Sequence, residues 1–320
     1  MQEVDAVVTA SVDLWDGLTA SNVAVTEVVG AVMKPETRVA GDGLLAVCHA
    51  TMIILSGNYK TVLVVAHGKA SMADRWELSK WTFDPIYQQP LDLDDLVAGA
   101  LQAQTYLGRY QVSPDAPALV AVKNRKEDGL TVDAVLTSPV LAPPIHDLEV
   151  PPEADGACAL LLGAASSIGV PGRRPARIRG FGYALETHYL GDRDLANPIA
   201  LREAAIRAYR MAGIGHPRRE IQVAHVSELF AHQELLWYEG LDFCDRGQGA
   251  HLLIEGVTSP QGTLPVNPRG GVLAGVPPFV AGLDRLVRAV EDVTAGVTTA
   301  LAHGAWGPGG QGHCVVVVGE

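Results

Sequence analysis

Thiols and clustered metal ligands are scarce in this chain. Its four cysteines (Cys48, Cys158, Cys244, Cys314) are spread over 320 residues with no C-x-x-C pair, so reduced thiols in a cytoplasmic protein are the expectation. No His/Glu spacing resembles H-E-x-x-H, and no metal site is expected. Positive charge is in deficit: 24 Lys and Arg against 36 Asp and Glu leave a net charge of −12, which argues against a general nucleic-acid binder. Long hydrophobic runs are missing too. The longest, Leu44 to Leu55, carries Cys48 and His49 and is too short to span a membrane. Met1-Gln2-Glu3-Val4-Asp5 lacks the basic start and apolar stretch of a secretory leader, so a cytoplasmic location is expected.

What remains is an apolar content of 48% with 34 Gly and 20 Pro, a globular composition with many tight connections. Short strands at Ala6–Thr9 and Arg38–Ala40 flank a helical stretch from Val23 to Val32. A buried helix from Leu44 to Leu55 follows, ending at Ser56-Gly57-Asn58. Thr61 to Ala66 is a β-branched run without polar alternation, the pattern of a strand covered on both faces. This βαβ rhythm breaks at Ser71, and residues 71–150 read as an inserted lobe with helices at Asp94–Arg109 and Ala116–Lys126. A strand at Ala157–Leu162 rejoins the first sheet. The rhythm resumes with a strand at Arg177–Ala184, a helix from Asn197-Pro198 to Met211, a strand at Ile221–Val226 and a helix from Ser227 to Tyr238. A long helix to about Ala302 and a closing strand, Cys314 to Val318, complete the chain.

The stretch Leu264-Pro265-Val266-Asn267-Pro268-Arg269-Gly270-Gly271 reads as a strand, a tight turn and a helix entry. Such a turn either connects two elements or offers backbone N–H groups to a carbonyl oxygen or phosphate. Basic residues cluster at Arg173, Arg174, Arg177 and Arg179, either a solvated face or a phosphate clamp.

The segments Val122-Lys123-Asn124-Arg125, Ala154-Asp155-Gly156-Ala157, Arg193-Asp194, Ser227-Glu228-Leu229-Phe230-Ala231 and Pro265 to Gly271 fall in the order and spacing of the thiolase superfamily. Within it, the chain resembles the sterol-carrier-protein/lipid-transfer-like branch. The resemblance implies an α/β thiolase fold, five-layer αβαβα, built from two pseudo-repeated βαβ halves with an inserted loop domain. It assigns residues 1–70 and 151–170 to the N-terminal half, 71–150 to the loop lobe and 171–320 to the C-terminal half. It also implies a dimer through the N-terminal halves and a coenzyme A thioester as ligand, with no covalently bound cofactor. The family opens with a strand and helix ahead of the segment matching Val4 to Val8. That implies either a further subunit over the exposed sheet or a pared-down half.

The chain departs from the family where the chemistry sits. The nucleophilic cysteine position falls on Ala40, the Gly-His-Pro histidine on Val276, and the His or Asn that helps form an oxyanion site on Ser227. Catalytic candidates are then Ser227, His225, His303 and Glu228, and cofactor-binding candidates are Arg173, Arg174, Asn267, Gly270 and Gly271. His225 and Ser227 share a strand face by their spacing, His232 joins their cluster, and Ser227 also suits a helix N-cap. Each histidine also reads as a satisfied structural group, and Cys48, Cys158, Cys244 and Cys314 read as structural thiols. Three functions follow. One is a thiolase-like acyl-CoA subunit, non-Claisen or non-catalytic, in a homo- or hetero-oligomer with an intact thiolase. Another is a cysteine-independent retro-aldol lyase working with an OB-fold/zinc-ribbon partner. The last is a scaffold without CoA affinity.

Overall fold

A computed structural model describes residues 4–17, 20–167 and 175–320. Two four-stranded sheets carry the fold. The first has the order β2-β1-β3-β6, from β1 (Ala6–Ala10), β2 (Glu36–Val39), β3 (Thr61–Lys69) and β6 (Asp155–Gly163); β1 is parallel to both β2 and β3, and β6 is antiparallel to β3. The second has the order β7-β10-β9-β8, from β7 (Arg177–Leu185), β8 (Val223–His225), β9 (Thr299–Trp306) and β10 (Gly312–Gly319). A small hairpin of β4 (Val140–Ala142) and β5 (Ile145–His146) belongs to the lobe between β3 and β6.

Two helices, Gly43–Leu55 and Ala281–Thr294, fill the space between the sheets. Leu44, Val47, Leu283 and Leu286 pack there against Val62 and Val64 of one sheet and Val316 and Val318 of the other. The first helix is largely apolar, and Leu44, Ala46, Val47, Cys48 and Ala50 of its N-terminal half are buried, whereas Met52 and Leu55 near its end are exposed. Outside the second sheet lie the Ile199–Ala212 and Ala231–Gly240 helices, with Leu201, Leu235 and Trp237 in its outer core. Outside the first sheet, the Ser21–Val25 helix and the turns after it cover Val7, Val65 and Leu63. The order helices, sheet, paired helices, sheet, helices is the αβαβα thiolase architecture.

Several expectations are corrected. β3 alternates buried and half-buried residues instead of being covered on both faces, because the layer outside it is thin; Leu161 on the neighbouring β6 is 49% exposed. The helix expected over Val23–Val32 closes at Val25, and turns follow. The last long helix stops at Thr294, because Gly296 takes φ +120° and residues 299–306 go to the sheet as β9. The helix expected from Ser227 starts at Ala231, with Phe230 at the N-cap position, so Ser227 is not a cap. In the lobe, the helices run Asp95–Tyr110 and Asp115–Arg125, close to their expected bounds. Among the described residues, no helix is long and apolar enough to cross a membrane.

Candidate functional site

The two inner helices begin at one carboxylate. Asp42 is the N-cap of the Gly43–Leu55 helix, its Oδ1 accepting from Leu44 N at 2.8 Å, while its Oδ2 accepts from Gly282 N at 2.9 Å in the first turn of the Ala281–Thr294 helix. One side chain thus serves two helix N-termini, whose partial positive charges both favour an anion. Glycine at 282 and 304 makes room, since a Cβ at either position would collide with the Asp42 carboxylate. Burial nonetheless raises Asp42 to about 7, against the two backbone hydrogen bonds.

Beside the start of the second inner helix lies a cavity of about 110 Å³. Trp15, Trp76, Phe279 and Trp306 form its apolar walls, and Asp95, Ser227, Glu228 and Gln233 bring polar atoms to it. A second cavity of about 330 Å³ continues outward, sharing Arg75, Trp76 and Pro151 to Glu153 with the first and adding Arg125 and Asp147. The Arg75 guanidinium lies 4.2 Å over the Trp76 ring at this junction.

Gly307, Gly309 and Gly310, with φ of +75°, +58° and +69°, shape the turn between β9 and β10 that closes the inner cavity, a backbone path that suits glycine. Arg193 gathers the carbonyls of Pro308 (2.7 Å), Gly309 (3.1 Å) and Gly310 (3.1 Å), and Gln102 Nε2 donates to Gly309 O at 2.9 Å. The turn is therefore held from behind by buried donors.

Ser227 and Glu228 reach the cavity from the extended stretch after β8. Ser227 Oγ donates to His303 O at 3.0 Å, and its N–H donates to His303 Nδ1 at 3.4 Å. With Nδ1 accepting, His303 carries its proton on Nε2 and donates to His313 Nδ1 at 3.0 Å. Burial, then the neighbouring His313, holds His303 well below its ordinary pKa, and burial brings His313 to about 3. This is a neutral imidazole pair behind the wall, and its accepting nitrogens are occupied.

Glu228 is fully buried and surrounded by donors: Asn124 Nδ2 at 2.9 Å, Asn267 Nδ2 at 3.2 Å and Leu273 N at 3.4 Å. Burial, then the charge of Glu234, raises it to about 7. Glu234 in turn meets Lys123 Nζ at 2.8 Å, Asn124 at 2.5 Å and Asn267 at 2.8 Å. Lys123 also donates to Val266 O and Asn124 Oδ1, both at 2.7 Å, so its three protons are all used. Asp95, at about 7, is likewise raised by burial first.

Three raised carboxyls carry a sign. Asp42, Glu228 and Asp95 each hold a proton in the folded chain over an interval in which the unfolded chain has lost it. Their contribution to stability is complete below the unfolded carboxyl values and is lost as pH rises toward 7. The buried histidines His225, His232, His303 and His313, held below their ordinary pKa mainly by burial, act in the opposite sense, so the carboxyl share is read by difference. In denaturant titrations the stability of wild type relative to Asp42→Asn should fall between pH 5 and pH 7.5; a difference that does not change with pH would contradict the burial of Asp42.

The other expected site residues fall elsewhere. His225 ends β8 and reaches the second inner helix, its Nε2 2.6 Å from Asp292 Oδ2, and does not line the cavity. His232 is buried against Gln102, with Nε2 3.3 Å from its Oε1. Asn267, with φ +49°, is fully buried and holds the Val226 N–H and both glutamates. The glycine turn spends its N–H groups inside the protein, Gly270 on Asn267 O and Gly271 on Asn124 O, and leads into a 3₁₀ turn at Val272–Ala274. Asn267, Gly270 and Gly271 therefore organise the wall instead of facing a ligand. Arg173 and Arg174 lie outside the described residues. Cys48 and Cys314 are buried with their sulfurs 4.0 Å apart, while Cys158 and Cys244 are half-buried.

Val276 lines the cavity with Ser227. Ala40 is exposed, one residue before Gly41, which packs toward the Trp306 indole. No cysteine lines the cavity among the described residues. Nor does any group of three or more His, Cys, Asp or Glu stand ready for a metal ion among them. Asp42, Asp95, Arg75 and the three tryptophans escaped sequence reasoning. The doubled Asp94-Asp95 ahead of a helix was the one available signal for Asp95.

This arrangement, two mixed sheets around a buried helix pair with a site beside the helix N-termini, is a thiolase-type fold. Residues 182–319 match the family described as Thiolase C-terminal domain-like. The chain is 26% identical over 314 residues to the acetyl-CoA acetyltransferase of Methanothermobacter thermautotrophicus, covering 86% of this chain and 78% of that one. It is 27% identical over 164 residues to sterol carrier protein 2 of Bos taurus, covering 49% of this chain but only 30% of the relative. A solved structure described as an Ltp2-ChsH2(DUF35) aldolase superposes with a TM-score of 0.81 at 21% identity, over 99% of this chain and 87% of that one. The C-terminal part of the chain is thus similar to the thiolase C-terminal domain, and an acetyl-CoA acetyltransferase and sterol carrier protein 2 are among the proteins the chain resembles.

Proposed function

We propose that this protein is a thiolase-like subunit that binds an acyl-CoA thioester and does no Claisen chemistry. The observation that carries the reading is a thiolase-type cavity walled by Val276 and Ser227, with no thiol on it and Ala40 exposed outside it. An acyl-enzyme needs a thiolate within reach of a base, and among the described residues no cysteine lines this cavity. Cleaving a carbon–carbon bond next to a thioester needs a proton acceptor and no nucleophile. The titratable carboxyls at the cavity favour that lyase activity, of the retro-aldol type, over an inert scaffold.

The outer cavity, with Arg75 and Arg125, suits the polar arm of coenzyme A, and the aromatic inner cavity suits the acyl end. The similarity to an aldolase described with a second component, ChsH2(DUF35), supports work within an oligomer; an OB-fold/zinc-ribbon protein or an intact thiolase is the other subunit we propose. Calorimetry should show coenzyme A binding that Arg75→Ala weakens at least about tenfold, the loss of one charge-assisted contact. 3-Hydroxyacyl-CoA should be cleaved, whereas acetoacetyl-CoA with free coenzyme A should not. Thiolysis, or the absence of any binding heat, would reject the reading.

A further inference from the structure

We infer that Asp95 is the general base of the inner cavity, accepting the hydroxyl proton of a 3-hydroxyacyl thioester; the inference rests on the lyase reading above. Asp95 opens the Asp95–Tyr110 helix, but the capping duty falls on its neighbour: Asp94 Oδ1 accepts from Val97 N at 2.6 Å. The Asp95 carboxylate is thereby released from helix capping. Asp95 lines the cavity, and its Oδ1 is buried with no hydrogen-bond partner. A shielded carboxylate oxygen left unpaired is a cost that a structural role does not explain, and such costs concentrate where chemistry occurs.

The other polar groups on the wall are committed. Glu228 is covered by amide donors on both oxygens. Ser227 Oγ donates to a backbone carbonyl, and Gln233 Oε1 accepts from the N–H groups of Leu229 (2.9 Å) and Phe230 (3.3 Å). Glu153 sits on the exposed rim. Asp95 alone among these combines a titratable carboxyl with a buried, unspent acceptor.

The step balances on this chain's own groups. The Asp95 carboxylate takes the proton of the β-hydroxyl, and the O–H electron pair becomes the π bond of the new carbonyl. The Cα–Cβ bond breaks, its pair passing into the thioester as an enolate. The proton on Asp95 then returns to Cα. The products are a ketone or aldehyde and a shortened acyl thioester, and the carboxylate is regenerated. The charged and titratable groups facing Asp95 are Arg75 from the Arg75–Lys80 helix, Asp94 beside it, Glu153 on the 151–154 segment and Glu228 across the cavity. Burial and Asp94 raise its pKa while Arg75 lowers it, which suits a base working near neutral pH.

The test compares wild type with Asp95→Asn and Asp95→Glu, each purified in its native assembly, on 3-hydroxybutyryl-CoA and longer or branched 3-hydroxyacyl-CoA thioesters. Asp95→Asn should lose about 10²–10⁴-fold in kcat and the acid limb of the pH profile. Its affinity for coenzyme A should be unchanged and its Tm equal or higher, because a desolvated charge is removed; Asp95→Glu should recover part of the rate. Cleavage by Asp95→Asn within tenfold of wild type overturns the assignment while leaving the lyase reading intact. A fall in Tm with no specific loss of turnover also overturns it, marking a structural role. Wild type that binds the thioesters and cleaves none rejects the lyase reading and Asp95 with it.

Discussion

Gly282→Ala should destabilise the protein by about 3 kcal/mol or more, the upper end of what overpacking a core costs. The added methyl group would collide with the Asp42 carboxylate and lie 2.8 Å from Leu44 Cβ. Neither neighbour has room to retreat, because Asp42 is bound to both helix starts and Leu44 is fully buried. If the carboxylate is displaced, two caps are lost at once, each worth about 1 kcal/mol. Gly304→Ala presses on the same carboxylate from β9 and should behave alike. Gly108→Ala is the control. It lies inside the Asp95–Tyr110 helix with nothing within 4 Å of the added carbon, so it should be neutral or stabilising by up to about 1 kcal/mol. Thermal and denaturant melts of the three variants check the order; equal stability of Gly282→Ala and wild type would refute the shared cap.

Lys123→Met should cost about 3–5 kcal/mol, the usual consequence of stripping one partner from a buried ion pair. Glu228 and Glu234 are both fully buried and share the donors Asn124 and Asn267. Removing the ammonium leaves Arg285 as the remaining buried cation; it is fully buried and donates to Gly270 O at 2.8 Å. The same change frees Val266 O at the glycine turn, so the cavity wall at Val272 should loosen as well. A double variant, Lys123→Met with Glu234→Gln, should recover much of the loss because the uncompensated charge is gone. Additive losses in that cycle would show that the two groups are not coupled.

The parts of the fold legible in the sequence are those set by local pattern. The apolar Gly43–Leu55 helix, the strand Arg177–Leu185 and the helices Asp95–Tyr110 and Ile199–Ala212 lie within a residue or two of their expected bounds. Boundaries failed where tertiary demands overrode periodicity. Residues 299–306 continue an apolar pattern that suits a helix, yet β10 lacks a partner on that side without them, and they pair along it as β9. Ser227 looks like a cap, but residues 226–230 form no helix, and Trp237 Nε1 donates to Ser227 O at 2.8 Å.

The site was half legible. Ser227 and Glu228 follow from motif order, and so does Val276 on the wall. Trp15, Trp76 and Trp306 come from three distant segments, and nothing local announces that they meet. Asp95 depends on how the 71–150 lobe folds over the cavity, a long-range event. The glycine stretch misled for a related reason: its N–H groups look available in sequence, but Asn124, from the lobe, supplies the acceptor for Gly271.

Turnover without an acyl-enzyme is tested most directly by the intact mass of the protein after incubation with acetyl-CoA and with acetoacetyl-CoA. The mass should be unchanged, with no acyl group on Cys48, Cys158, Cys244 or Cys314. An acyl adduct, above all one that maps to the buried Cys48, would contradict the account.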